Sequence, residues 1–184
     1  MMKLGFVSAI LGDLSFEEVI NYASDNGFSC VEMMCWPIGK AERRYAGVTH
    51  INVDSMDEKR AGYINDYIKS KGVEISALGY YPNPLDPDAK KSAFYIEHIK
   101  KIIKAAGILG VKTVTTFIGK DKDKTVEENL IEFKKVWTPI IKFAEENDVR
   151  VAIENCPMLF TKDEWPGGLN LATTPDIWRK MFKL

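Results

Sequence analysis

Lys71-Gly72-Val73-Glu74-Ile75-Ser76 and Leu109-Gly110-Val111-Lys112-Thr113-Val114 share one plan. In each, an amphipathic stretch runs up to a glycine, one apolar residue follows, and a strand-type run begins. Asn26-Gly27-Phe28-Ser29-Cys30-Val31 repeats the plan, and so does Asn147-Asp148-Val149-Arg150-Val151-Ala152, with Asp148 in the place of the glycine. Glycine suits a helix that ends in a left-handed turn, and aspartate tolerates the same conformation. The pivots Gly27, Gly72, Gly110 and Asp148 are 45, 38 and 38 residues apart. That period holds a strand, a loop and a helix, rather than a unit of a helical solenoid. Crossovers between such strands are right-handed, which gives a parallel α/β sheet with its helices outside.

Working outward, five strands are expected: Lys3 to Ser8, Cys30 to Met34, Val73 to Gly79, Thr113 to Phe117, and the short run ending at Ile153. Ser15 caps a first helix whose apolar face is Phe16, Val19, Ile20 and Ala23. A second helix begins at Asp57, with Ile64, Tyr67 and Ile68 inward, and a third runs from Ala89 to Leu109, with Ile99, Ile102, Ile103 and Ala106 inward. A fourth spans Val126 to Asn147, bent at Pro139, which removes a helical donor. Thr174 and Pro175 then form the cap and first position of a fifth. The long loops all follow strands, while the helix-to-strand turns are tight. Such asymmetry favours a barrel whose mouth is built from loops. No Gly-x-Gly-x-x-Gly follows the first strand and no Walker loop is present, which disfavours dinucleotide and P-loop folds.

Composition bounds the function. The chain has 184 residues, 46% hydrophobic and 28% charged, as in one globular domain over residues 1–184. A formal net charge of −1 gives no electrostatic case for nucleic acid or a membrane surface as partner. Cys30, Cys35 and Cys156 form no spaced pair, so reduced thiols are expected, with Cys30 and Cys156 at strand positions. No stretch is long enough to span a membrane and no secretion signal opens the chain, so the expected compartment is the cytoplasm.

The candidate site is read from Arg150-Val151-Ala152-Ile153-Glu154-Asn155-Cys156-Pro157. A buried strand ends here in an acid, an amide and a thiol. A carboxylate at the tip of a parallel strand is costly unless satisfied, and in a barrel that tip is the active-site end. Glu154 is therefore the candidate catalytic carboxylate and metal ligand. The alternative is a strand-end glutamate paired with a lysine or arginine. Asn155 is read as orienting Glu154, binding a hydroxyl, or closing the strand with a hydrogen bond. Trp36, Tyr80 and Tyr81 sit at strand tips, as flanks of a ligand at the mouth or as core aromatics. His50, in the long loop from Cys35 to Asp54, is read as approaching the mouth or as a surface histidine, and His98 as structural. Arg43 and Arg44 offer a phosphate contact or a solvated basic pair. The lysines between Gly119 and Lys124 read as a solvated loop.

The first-strand stretch Lys3 to Ser8, Cys30-Val31-Glu32, Ala105-Ala106-Gly107-Ile108-Leu109-Gly110-Val111 and Val151-Ala152-Ile153-Glu154-Asn155 together resemble the sugar phosphate isomerase/epimerase family. That family has the xylose isomerase-like barrel and is related to the endonuclease IV type of abasic-site nuclease. The resemblance implies a partial (β/α)8 TIM barrel of about five βα units. It also implies a divalent metal ion (Mn, Mg, Co or Zn) in intact relatives, held by Glu, Asp, His and Glu after strands five to eight. Only the first ligand has a counterpart, Glu154. The implied partner is a small sugar or sugar phosphate, and the implied chemistry is metal-assisted proton transfer next to a carbonyl. Because a closed barrel has eight strands and this chain offers five, the expectation is a barrel cut within its fifth helix. Its open edges would favour a homo-oligomer. Two alternatives stand beside the epimerase reading: a catalytically silent partial barrel that self-associates, and an endonuclease IV-like nuclease.

Overall fold

Five strands lie side by side in chain order, and every neighbouring pair is parallel. They are β1 (Gly5–Val7), β2 (Cys30–Met34), β3 (Glu74–Gly79), β4 (Thr113–Thr116) and β5 (Arg150–Ile153). Between them run α1 (Phe16–Asp25), α2 (Glu58–Lys71), α3 (Ala89–Leu109) and α4 (Val126–Glu146), and α5 (Pro175–Met181) follows β5. The computed structural model describes residues 2–39, 46–156 and 168–184. Arg43, Arg44, Tyr45 and Pro157 lie outside the described residues. The strand order never reverses, so the sheet lacks the switch point of a doubly wound fold. It is a run of consecutive βα units, the architecture of a partial TIM barrel.

The repeated pivots explain how the units are joined. Gly27, Gly72, Gly110 and Asp148 all have positive φ, at 74°, 66°, 76° and 55°. Each turn lets the next residue donate its N–H back into the helix just ended. Phe28 donates to Ala23, Val73 to Ile68, Val111 to Ala106 and Val149 to Ala144, at 2.9, 3.1, 2.9 and 3.0 Å. The same residues pack into the core, and the one after each enters the sheet: Ser29 donates to Leu4, Glu74 to Ser29 and Arg150 to Lys112. Asp148 pairs with Lys112 in an exposed ion pair.

Alternation along the strands separates two faces. Val31, Met33, Leu78 and Val114 point toward the helices and pack with Ile20, Ile64, Ile99, Ile102, Ile103, Trp137 and Ile140 in one core. The opposite, inner face carries Glu32, Ala77, Gly79, Thr115 and Ala152. Register pairs Glu32 with Ala77, Gly79 with Thr115 and Thr115 with Ala152.

The structure departs from the sequence reading in several places. β1 stops at Val7, because Ser8 turns its hydroxyl toward the Met34 N–H and begins a short 3-10 helix over Ser8–Leu11. The segment from Cys35 to Asp54 is not wholly irregular: Cys35 and Thr49 form an antiparallel bridge, and Val53–Ser55 is a 3-10 turn. Cys156 lies past the end of β5 rather than within it.

A Cβ at Gly110 would meet no atom within 4 Å, so its left-handed φ is the whole constraint. Gly110→Ala is expected to lower unfolding free energy by about 1–2 kcal/mol, measured by urea denaturation.

Candidate active site at the strand ends

Because all strands are parallel, all five leave the sheet at one end, and the side chains there face a common basin. Glu154 follows β5 and continues its ladder, its N–H bonded to the Thr116 carbonyl at 3.1 Å. Its carboxylate stays open to solvent on one side. Among the described residues it has no ion-pair partner, so the strand-end pairing with lysine or arginine is not the arrangement found. Partial loss of water, and then the charge of Glu32, hold its pKa above the ordinary carboxylate value.

Glu32 is the second carboxylate of the basin, and the sequence reading assigned it no role. Its Oε1 accepts from the Tyr81 hydroxyl at 2.5 Å and from Thr115 Oγ1 at 2.8 Å. Burial, then the charge of Glu32 and the hydrogen bond to it, push the Tyr81 phenol up, so Tyr81 stays protonated as a donor. Its ring packs against Phe117 with centroids 4.9 Å apart. The signal for Glu32 lay in alternation: Val31 and Met33 point to the helices, so Glu32 points inward.

The other candidates are placed as follows. Tyr80 is 1% exposed and packs edge-on against Trp36 at 4.8 Å and His98 at 4.7 Å. Tyr80 is thus a core aromatic rather than a mouth residue, and Trp36 is half-buried against the same core. The tyrosine at the mouth is its neighbour Tyr81. Asn155 Oδ1 accepts from Trp178 Nε1 at 2.7 Å, which ties the end of β5 to α5. His50 is 6% exposed, so it is not a surface histidine. Its Nε2 faces the Leu11 carbonyl at 3.2 Å and its Nδ1 faces Ser8 Oγ at 2.9 Å. A carbonyl only accepts, so Nε2 carries the proton and the Ser8 hydroxyl donates to Nδ1. His98 is buried, with Nε2 donating to the Cys35 carbonyl at 2.7 Å. Burial lowers the pKa of both histidines.

Asn170 was missed by the sequence reading, although it is fully buried. Its Oδ1 accepts from the N–H groups of Ile118 and Gly119, at 3.0 and 3.3 Å. Its Nδ2 donates to the carbonyls of Glu154 and Cys156, at 3.1 and 2.6 Å. One amide therefore holds the loop after β4 against the tip of β5 and sets the backbone that carries Glu154. Asn83 does the same between the loops after β3 and β4, bonding both the N–H and the carbonyl of Lys120. Within the loop after β4, Asn129 bonds Asp121 and Lys124, which buries Asp121; the segment from Gly119 to Lys124 is thus only partly solvated.

A divalent cation needs several oxygen or nitrogen donors. Among the described residues no three His, Cys, Asp or Glu side chains are grouped to hold one. Glu154 is one available donor, and one oxygen of Glu32 is committed to Tyr81 and Thr115. The described residues therefore do not make a complete metal site.

Two consequences are measurable. Asn170→Ala leaves buried backbone groups unpaired and should cost about 1–3 kcal/mol or more in urea unfolding. The buried histidines resist protonation when folded, so the unfolded chain binds more protons as pH falls below the ordinary histidine value. Stability should be complete above roughly pH 7 and decline toward pH 5, with a slope of at most about 1.4 kcal/mol per pH unit for each histidine. Unfolding midpoints measured across this range should flatten in the variant His50→Gln/His98→Gln.

Comparison with known proteins places this geometry. The family model described as the xylose isomerase-like TIM barrel matches residues 20–183. YfiH, an uncharacterized protein of Bacillus subtilis strain 168, is 28% identical over 146 residues, covering 77% of this chain and 44% of its own. The fold matches a D-tagatose 3-epimerase-like protein with a TM-score of 0.68 at 20% identity, over 99% of this chain and 60% of that one. The probable 3-DHS dehydratase AsbF of Bacillus anthracis matches with a TM-score of 0.69 at 15% identity, over 98% and 60%. The IolI protein, solved with a zinc atom, matches with a TM-score of 0.58 at 18% identity, over 83% and 51%. The chain thus spans less than half of that relative and about 60% of the first two solved neighbours. No helix among the described residues is long and apolar enough to cross a membrane. The model match over most of the chain and the consecutive parallel βα units agree: the chain belongs to the xylose isomerase-like TIM-barrel family.

Proposed function

We propose that this chain supplies five βα units of a sugar isomerase or epimerase, with Glu154 as the residue that takes up and returns a proton next to the substrate carbonyl. The observation that carries the reading is Glu154 itself: a carboxylate at the strand-end basin, without a cation partner among the described residues, and held above its ordinary pKa by lost water and the charge of Glu32. A raised pKa brings a carboxylate closer to the range in which a general acid or base works at neutral pH. The epimerase-like neighbour lends the substrate class, a small sugar. A divalent metal belongs to the same proposal for the whole protein, since a neighbour carries zinc and the family resemblance implies one; it would supply polarisation of the sugar oxygens. No step is assigned to it here, because the described residues do not complete its ligand set.

The nuclease reading is not supported by the site. Both histidines are buried and bonded to protein groups, and net charge is −1. A homo-oligomer and a cytoplasmic location belong to the same proposal. β1 and β5 each have one side unpaired among the described strands, and such edges favour association.

The experiment is hydrogen exchange. The full chain, supplied with Mn2+ and D-tagatose in D2O, should place deuterium on carbon next to the carbonyl. Glu154→Gln should slow that exchange by about 10²–10⁴-fold with an unchanged melting temperature, because its side chain is exposed and makes no ion pair among the described residues. Exchange that is absent from wild type, or equal in the variant, contradicts the proposal and favours a catalytically silent partial barrel.

A further inference from the structure

Among the described residues Glu32 is an inward carboxylate to which the proposed reaction assigns no contact with substrate, and three strands cooperate to hold it. From beyond β3, Tyr81 donates to Oε1 at 2.5 Å; from β4, Thr115 donates to the same oxygen at 2.8 Å. The third contribution is a missing side chain. A Cβ at Gly79 would lie 2.6 Å from Glu32 Oε1, 2.1 Å from Met34 Cε and 3.2 Å from Thr115 Oγ1. The φ of Gly79 is not in the left-handed region, so the glycine is needed here for space alone. The Met34 methyl and the Glu32 carboxylate together fill the room it leaves.

This arrangement satisfies one oxygen and leaves the other without a hydrogen bond among the described residues. An ionised carboxylate has lone pairs for about four donors, and a half-buried one gains from each it finds. Three classes of donor fit: a cation, a water, or a hydroxyl on a bound molecule. No lysine or arginine forms an ion pair with Glu32 among the described residues. The neighbouring charge in the basin is Glu154, also negative. Negative charge on both carboxylates attracts the positive hydrogen of a hydroxyl, as it would a cation, and repels a further anion. A phosphate monoester near neutral pH carries about −1.5 to −2 charges.

We propose that Glu32 is a specificity residue: its open oxygen Oε2 accepts a hydroxyl of an uncharged ketose or polyol, and the basin it helps to form disfavours the phosphorylated counterpart. This rests on the reading of the strand-end basin as the substrate site, and it selects free sugars over sugar phosphates. Tyr81 and Thr115 act as positioning residues. By fixing Oε1 they leave Oε2 as the oxygen without a hydrogen bond among the described residues, and the ring of Tyr81 is itself packed on Phe117.

The test is calorimetric titration of the full chain, as wild type, Glu32→Gln and Tyr81→Phe, with D-tagatose and with D-tagatose 6-phosphate. Thermal melts establish that each variant is folded. Wild type should bind the free sugar at least about tenfold more tightly than the phosphate ester, the scale expected for one charge-assisted hydrogen bond. Glu32→Gln should weaken free-sugar binding by about tenfold and bring the two ligands within about threefold of each other. Tyr81→Phe removes one clamp and keeps the charge, so it should weaken the free sugar by a few fold and preserve the preference. This variant carries the test if Glu32→Gln does not fold.

Free-sugar binding that is the same in folded wild type, Glu32→Gln and Tyr81→Phe overturns the inference, as does tighter wild-type binding of the phosphate ester or no wild-type binding of D-tagatose. The hydrogen-exchange experiment separates this from the proposed reaction. Exchange with Glu32-independent binding sinks the specificity role alone. Glu32-dependent binding without exchange upholds it and sinks the epimerase reading.

Discussion

Parallel pairing imposes one constraint from which the rest of the molecule follows. Every strand leaves the sheet at the same end, and the backbone groups released there lose their ladder partners together. Buried peptide groups left unpaired are costly. In this chain side chains continue the pairing where the strands stop. Ser8 and His50 link the segments after β1 and β2 through the Met34 N–H and the Leu11 carbonyl. Tyr81 joins the segment after β3 to β2 through Glu32. Asn83 joins the segments after β3 and β4, and Asn170 joins those after β4 and β5. Asparagine suits the task because one amide both accepts and donates, so it can stand in for a passing peptide.

That stitching sets the chemistry of the basin. Glu154 sits on a backbone whose carbonyl is held by Asn170, which fixes where its side chain leaves the strand end. Glu32 is held on the same face. Two carboxylates kept near each other with no ion-pair partner raise the proton affinity of the less well bonded one. Glu32 has two donors on one oxygen, and Glu154 has none among the described side chains; it is Glu154 whose pKa is raised. Lost water is the larger cause of that rise and the charge of Glu32 the smaller, while Tyr81 and Thr115 hold the Glu32 carboxylate in place.

The helical ends and the sheet were legible in the sequence because each is decided locally. A glycine at Gly72 or Gly110 followed by a valine is enough to predict the turn, and Asp148 behaves as they do. Apolar spacing in the third helix named Ile99, Ile102, Ile103 and Ala106, all of which are buried. The stitching was not legible, because Asn170 lies 52 residues from Ile118 in the chain and no pattern links the two. Tyr80 and Tyr81 show the same limit at one-residue scale. Both follow β3, and the choice of which enters the core depends on Trp36 and His98, brought there from other units. His50 reads as a polar loop residue until Ser8 and Leu11 close around it.

The composition of the inner face favours a binding surface over a packed core. A barrel interior is normally filled by layers of bulky branched side chains. Beside Glu32 this sheet places Val7 and Ala77, and nearer the strand ends it presents Gly79, Thr115 and Ala152. Small side chains there forgo the dispersion contacts that larger ones would make. What they provide is room: Gly79 and Thr115 are the residues against which the Glu32 carboxylate rests, and Ala152 leaves the approach from β5 open toward Glu154. A wall that is optimised for stability alone would place valine or isoleucine at these positions and would have no place for Glu32. The inward glycine and the inward acid thus belong together: a Cβ at Gly79 would collide with the Met34 methyl and with the Glu32 carboxylate alike.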